Sequence, residues 1–307
     1  MNVLDVILPV LLLMAVGFVG RRLKFLTADG IDSIKNIVMK VILPVAIFNA
    51  LASATFSGES FVAIGVLLAA IVASFGVGFL LRKLVREPYG KYLPFVVSVY
   101  EGGLFGYALY VSLVGKDNLS YIAMLDIAGL LFGFGVYMNV LRRVETGEKF
   151  SMRSFAAMAF GTPAFVATLL GLIVGATGIY QSFVGTAAGE IYLACENMLT
   201  LPLTPLVLIV VGFNFSVRGE LLAECFKTVA IRFVLQAILV VAVLTVFRWA
   251  EFAKEWQLAA IVLMSCPTSF STQTFISDPD GAEYVATTNS LYCAVTIVVY
   301  IVLAAIL

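Results

Sequence analysis

Histidine is absent from the 307 residues of this chain, and its four cysteines (Cys195, Cys225, Cys266 and Cys293) stand apart with no C-x-x-C spacing. That excludes a Cys/His metal site and the Ser–His and Cys–His pairs on which much nucleophilic catalysis rests. The thiols lie inside apolar stretches, where they are expected to act as small hydrophobes. Charge is scarce too: Asp, Glu, Lys and Arg make up 12% of the chain, about half a soluble domain's share. There is no glycine-rich phosphate loop, nucleophile elbow, zinc-binding helix motif or low-complexity linker. The expectation is a protein that is not an enzyme, needs no cofactor and binds no nucleic acid.

What is present in quantity is apolar sequence, 62% of the residues. Runs of roughly 20 apolar residues recur along the whole chain, each enough to cross about 30 Å of hydrocarbon. The fold class expected is all-α and polytopic in the lipid bilayer, with ten spans at about 3–20, 33–55, 61–81, 92–114, 119–141, 155–175, 185–213, 228–248, 256–276 and 284–306. The loops leave no room for an extramembrane domain, although 216–224 suits a short interfacial helix. Span one lacks a signal-peptide pattern and is expected to be retained.

Basic residues follow the odd-numbered spans: Arg21, Arg22 and Lys24; Arg82, Lys83, Arg86 and Lys91; Arg142, Arg143, Lys149 and Arg153; Arg218, Lys227 and Arg232. The alternate loops hold only Lys116, Arg248 and Lys254. By the positive-inside rule both termini are expected outside the cytoplasm.

An odd number of spans per half would insert the second half upside down. Span one carries Pro9 and Gly17, and span six carries Pro163 and Gly171 at the same spacing. Span two has Leu43-Pro44-Val45, and span seven has Leu201-Pro202-Leu203 followed by Pro205. These echoes point to two inverted repeats, 1–150 and 151–307, each of five helices.

The fourth span of each half is interrupted. In the first, Ser98-Val99-Tyr100-Glu101-Gly102-Gly103 follows a proline-led apolar run. In the second, Ser265-Cys266-Pro267-Thr268-Ser269-Phe270-Ser271-Thr272-Gln273-Thr274 surrounds a mid-span proline. Backbone freed in this way is tolerated in a bilayer only where protein or a water-filled cavity covers it, and paired breaks point to a transporter's binding site. Glu101 is an acid near mid-membrane, costly unless it serves a pathway or an ion. Asp126 in span five could approach it; two close carboxylates do not readily carry two charges, so the pair suits proton coupling. The alternative for Asp126 is an ion pair with Lys35 or Lys40. The hydroxyls and amide of Ser269, Ser271, Thr272 and Gln273 suit a carboxylate or a desolvated ion, though such groups also glue helices together. Asn49, Asn289 and Glu196 with Asn197 are further mid-depth candidates, Glu196 for ion coupling or gating. Glu190 and Asp5 read as interfacial, and Gly133 and Gly135 as sites of close helix packing.

With these residues in view, the chain resembles the auxin efflux carrier family, in particular the bacterial branch of malonate-type carriers. The family's fourth-span pattern Asn-x-Gly-Phe-x-Gly-x-Pro is matched by Glu101-Gly102-Gly103-Leu104-Phe105-Gly106-Tyr107-Ala108. Gly103 and Gly106 fit; Glu101 stands where Asn is usual and Ala108 where Pro is. Pro267 fits the family's span-nine proline, with Ser271 in the amide position, and Pro44, Asp126, Pro205 and Gly212 also fall at family positions. The resemblance implies crossing helices four and nine, related to those of bile-acid sodium symporters and sodium–proton antiporters. It implies a substrate site among spans two, four, five, seven, nine and ten, an elevator-like mechanism on a scaffold of spans one, two, six and seven, and homodimerisation through that scaffold.

The expectation is a secondary transporter for a small organic acid in a bacterial plasma membrane, coupled to protons or to sodium. The substrate-binding set is Asn49, Ser98, Glu101, Gly102, Gly103, Asp126, Pro267, Ser269, Ser271, Thr272, Gln273 and Asn289; the ion-coupling set is Glu101, Asp126 and Glu196. The rivals are a carrier whose paired acids bind a cation or amine directly, and a membrane ligand sensor that does not transport.

Overall fold

The computed structural model describes residues 3–147, 152–216 and 219–307, and among these the chain is helical with no strand. Lys149 and Arg218 of the basic set lie outside the described residues, as does the side chain of Arg153. Among the described residues seven helices are long and apolar enough to cross a membrane: Leu4–Arg22, Ala28–Ala52, Gly58–Leu84, Lys116–Thr146, Ala187–Asn214, Gly219–Trp249 and Pro279–Ile306. Tyr89–Ser98 and Gly102–Val114 qualify together as one bent pair, the expected interruption of span four.

Spans six and nine are shorter than expected, and proline accounts for both. A residue before proline is pushed out of the helical region by the ring. Thr162, before Pro163, is extended at φ −98°, ψ 111°, and separates Met152–Phe160 from Pro163–Thr177. Cys266, before Pro267, is extended at φ −69°, ψ 155°, and ends Lys254–Ser265. Pro44 acts differently. It lacks an N–H and crowds the carbonyl four residues back, and the chain absorbs this in a π turn at Val38–Ile42 between Ala28–Ile37 and Leu43–Ala52.

Three expectations need correction. The interfacial helix at 216–224 is, among the described residues, one 3₁₀ turn at Gly219–Leu221 running into Leu222–Trp249. Gly133 and Gly135 face open space rather than a packed neighbour, and they open a π turn at Gly133–Tyr137. Arg232 is not a loop residue. It lies well inside Leu222–Trp249 and is fully buried.

The chain divides into two compact units, each drawn from both halves of the sequence. Unit 1 comprises Met1–Phe61, Gly103–Met124 and Ala156–Asn214. In it span one packs on span seven and span six on span two. Both contacts are backbone against backbone. A Cβ on Gly17 would stand 2.0 Å from the carbonyl oxygen of Ile209, and one on Gly212 2.0 Å from that of Met14. A Cβ on Gly171 would stand 3.0 Å from the oxygen of Phe48. Ile31, Val210 and Phe213 form a small core, and Arg21 donates 3.2 Å to the carbonyl of Phe213.

Unit 2 comprises Val62–Gly102, Leu125–Phe155 and Phe215–Leu307, and therefore holds most of both interruptions. Phe75, Phe79, Phe95, Phe132 and Tyr137 build an aromatic cluster, edge to face for the most part. Gly281 lets Pro279–Ile306 approach the ring of Tyr92, where a Cβ would stand 2.5 Å from the hydroxyl.

Candidate functional site

When a helix stops inside a membrane protein, its last carbonyls need donors from elsewhere. Leu93–Ser98 ends on Val99, and its open carbonyls are met in turn. Phe95 O accepts from Thr268 Oγ1 (3.0 Å) and Tyr137 Oη (3.2 Å). Val97 O accepts from Ser74 Oγ (2.7 Å) and Gln236 Nε2 (2.6 Å). Val96 O and Val99 O (3.0 Å) both accept from the guanidinium of Arg232. The same guanidinium donates 2.7 Å to Cys266 O, at the end of Lys254–Ser265, while Thr296 Oγ1 donates 2.6 Å to Ser265 O. One cation thus sits at the negative ends of both broken helices, where the helix dipole favours it.

Burying that cation requires compensation beyond the three carbonyls. The rings of Tyr292 and Tyr100 lie 4.8 and 5.6 Å from Arg232 Cζ, within cation–π range. A planar guanidinium can reach several acceptors at once, which an ammonium on a flexible stem does not reproduce. On the same helix Gln236 accepts from Tyr100 Oη at 2.9 Å, and Thr228 bonds the hydroxyl of Tyr284.

The interruptions are also joined directly. The N–H of Glu101 donates 2.8 Å to Pro267 O, and the N–H of Phe270 donates 2.6 Å to Glu101 Oε2. Glu101 is only 6% exposed. Two bonds in opposite directions therefore tie the first break to the second, one backbone to backbone and one to the carboxylate. Asp126 lies against the following residue: a Cβ on Gly102 would stand 2.8 Å from each of its carboxylate oxygens.

Glu101, Gly102, Asp126 and Pro267 therefore come together, as the breaks in the sequence lead one to expect. Ser98 and Asn289 are fully or almost fully buried, and neither side chain has a hydrogen-bond partner. Thr272 is buried against Tyr137 Oη at 2.8 Å, which gives it a packing role. Ser269 and Ser271 bond one another at 2.8 Å, with Ser271 exposed. Gln273 lines a separate cavity of about 340 Å³ with Ser216, Glu283 and Thr287. Gly103 begins the unit 1 stretch Gly103–Met124. Asn49 and Glu196 lie together in unit 1, lining a cavity that contains none of the interrupted residues.

Sequence reasoning missed Arg232 because it was counted with the basic residues flanking span eight. A signal was available: Thr228, Arg232 and Gln236 recur every four residues along one face of an otherwise apolar helix. A solvated basic loop has no reason to keep that spacing.

No curated protein matches the chain. A family model described as membrane transport protein matches residues 2–303, nearly the whole length. This protein therefore belongs to that membrane transport family, the family of the auxin efflux carriers.

Proposed function

We propose that this protein is a secondary active transporter moving a small organic acid by alternating access across a bacterial plasma membrane, with Glu101 and Asp126 handling a proton or a sodium ion. The observation that carries the reading is the joined pair of breaks: Glu101 bonded to Pro267 and Phe270, with Asp126 against Gly102. Ser98 and Asn289 add buried polar groups of the kind a ligand or ion would satisfy.

The ten-span inverted repeat over 1–150 and 151–307 belongs to the same reading. Exchanging the halves turns a span one–span seven contact into a span six–span two contact, and both are present. In each, the glycine at the contact lies eight residues after a proline, Pro9 to Gly17 and Pro163 to Gly171. Spans one, two, six and seven fall in unit 1, as a scaffold would, and most of both interruptions falls in unit 2, as a moving bundle would. Homodimerisation through the scaffold, and termini on the extracytoplasmic side, complete the proposal.

Coupling follows if protonation changes the relative free energies of the loaded inward- and outward-facing states. Uptake of labelled malonate into liposomes containing the purified protein should depend on pH, and Glu101→Gln should alter that dependence at equal protein content. An unchanged profile in the variant removes Glu101 from the coupling role. The closeness of two acids to the Glu101–Gly102 turn also favours a second reading, a carrier of a cation or amine. Counterflow against malonate, amino acids and amines separates the two, and any transport by pure protein removes the sensor alternative.

A further inference from the structure

The cavity in unit 1 has a volume of about 350 Å³, at the small end of the roughly 300–1,000 Å³ typical of ligand pockets. Its polar lining includes Asn49, Ser53, Lys116, Asp117, Tyr180 and Glu196, all in unit 1. Lys116 Nζ lies 2.9 Å from Glu196 Oε2 and 3.2 Å from Asn197 Oδ1. Thr200 Oγ1 donates 3.1 Å to the other oxygen of Glu196. Glu196 is buried, whereas the Lys116 side chain is 36% exposed, so the cation can be approached from solvent. Asn49 Oδ1 accepts from the hydroxyls of Tyr180 (2.5 Å) and Tyr192 (3.4 Å), which fixes its amide nitrogen as the donor it can offer a ligand. Ser53 Oγ already donates to Asn49 O at 2.8 Å, which leaves its lone pairs as acceptors.

The balance of charge decides what fits. The lining holds one ammonium and two carboxylates, Asp117 at the exposed rim and Glu196 inside. A simple carboxylate would gain Lys116 but sit beside two like charges, and a simple amine would compete with Lys116 for Glu196. A molecule carrying both signs avoids both penalties: its carboxylate meets Lys116 and the Asn49 N–H, and its ammonium meets Glu196, Asp117 and Ser53. Lys116, Glu196 and the two charges of the ligand then alternate in sign, with Asp117 on the side of the ligand's ammonium, and the ligand brings no net charge into the membrane protein.

We propose that this cavity is a binding site for a small zwitterion, an α-amino acid with a short side chain, held across the Lys116–Glu196 pair. The site lies wholly in unit 1, apart from the joined breaks, and goes beyond the transport reading above by adding an amino acid ligand to it.

Isothermal titration of the purified protein with L-alanine, propionate and propylamine tests it, since the last two each carry one half of the charge. L-Alanine should bind, with the other two weaker by about tenfold or more, the worth of a charged hydrogen bond. The double variant K116Q/E196Q should lose L-alanine affinity by about tenfold or more for the same reason. The reversed pair K116E/E196K, which keeps an ion pair in place, should retain most of it. Propionate binding as tightly as L-alanine, or unchanged L-alanine affinity in the double variant, overturns the proposal. Uptake of labelled malonate and of labelled L-alanine into liposomes is measured alongside. Uptake together with pair-independent L-alanine binding sinks this inference and leaves the transport reading intact. Pair-dependent L-alanine binding without uptake of either compound does the reverse.

Discussion

In unit 1 the helices meet backbone to backbone, Gly17 on Ile209, Gly212 on Met14 and Gly171 on Phe48, and the charged Lys116–Glu196 pair lines a cavity. In unit 2 a guanidinium, an amide and several hydroxyls are buried between helices and aimed at main-chain carbonyls. The difference follows from continuity. An unbroken helix satisfies its own backbone and can use glycine to bring another helix close, gaining dispersion contacts without polar glue. A helix broken at mid-membrane exposes carbonyls that no lipid can satisfy, so donors must come from neighbouring side chains. Unit 2 therefore carries buried donors where its helices end.

That contrast can be broken at its strongest point by Arg232→Met, which leaves the carbonyls of Val96, Val99 and Cys266 without this donor. A loss of about 3 kcal/mol or more is expected from the orphaned carbonyls alone. It should be read as a lower midpoint of thermal unfolding in detergent, with Arg232→Lys recovering only part of it. In unit 1, Gly17→Ala forces span one away from the carbonyl of Ile209, at an expected cost of about 1–3 kcal/mol for overpacking. A cost equal to that of Arg232→Met would erase the distinction between the units. Ser74→Ala removes one of the two donors to Val97 O and should cost about 1 kcal/mol, because Gln236 remains. Gly133→Ala, facing open space, serves as the reference and should stay within about 0.5 kcal/mol of the parent by the same measurement.

Proline was the most legible residue type. Pro163 and Pro267 act on the residue before them wherever they occur, so the breaks in spans six and nine follow from local sterics. Asp126 lies against Gly102, the residue after Glu101, in line with the similar depth of the two acids in their spans. Gly133 and Gly135 were misread because a glycine in an apolar helix has the same sequence signature whether a partner is present or absent. Asn49 and Glu196 could be assigned to mid-depth, but not to a cavity apart from the interrupted residues. Arg232 was misread because hydropathy treats a basic residue near the end of an apolar run as flanking.

By itself the amino-acid order determined the class, the interruption of span four and the family resemblance, because each depends on local quantities: apolar length against bilayer thickness, an acid beside two glycines, the order of a motif. Only the tertiary structure decided how the breaks are closed. The donors to one carbonyl, such as Ser74 and Gln236 on Val97, come from helices 162 positions apart in the chain. Which buried cation meets which helix end is a question of packing between distant segments, and no local pattern encodes it.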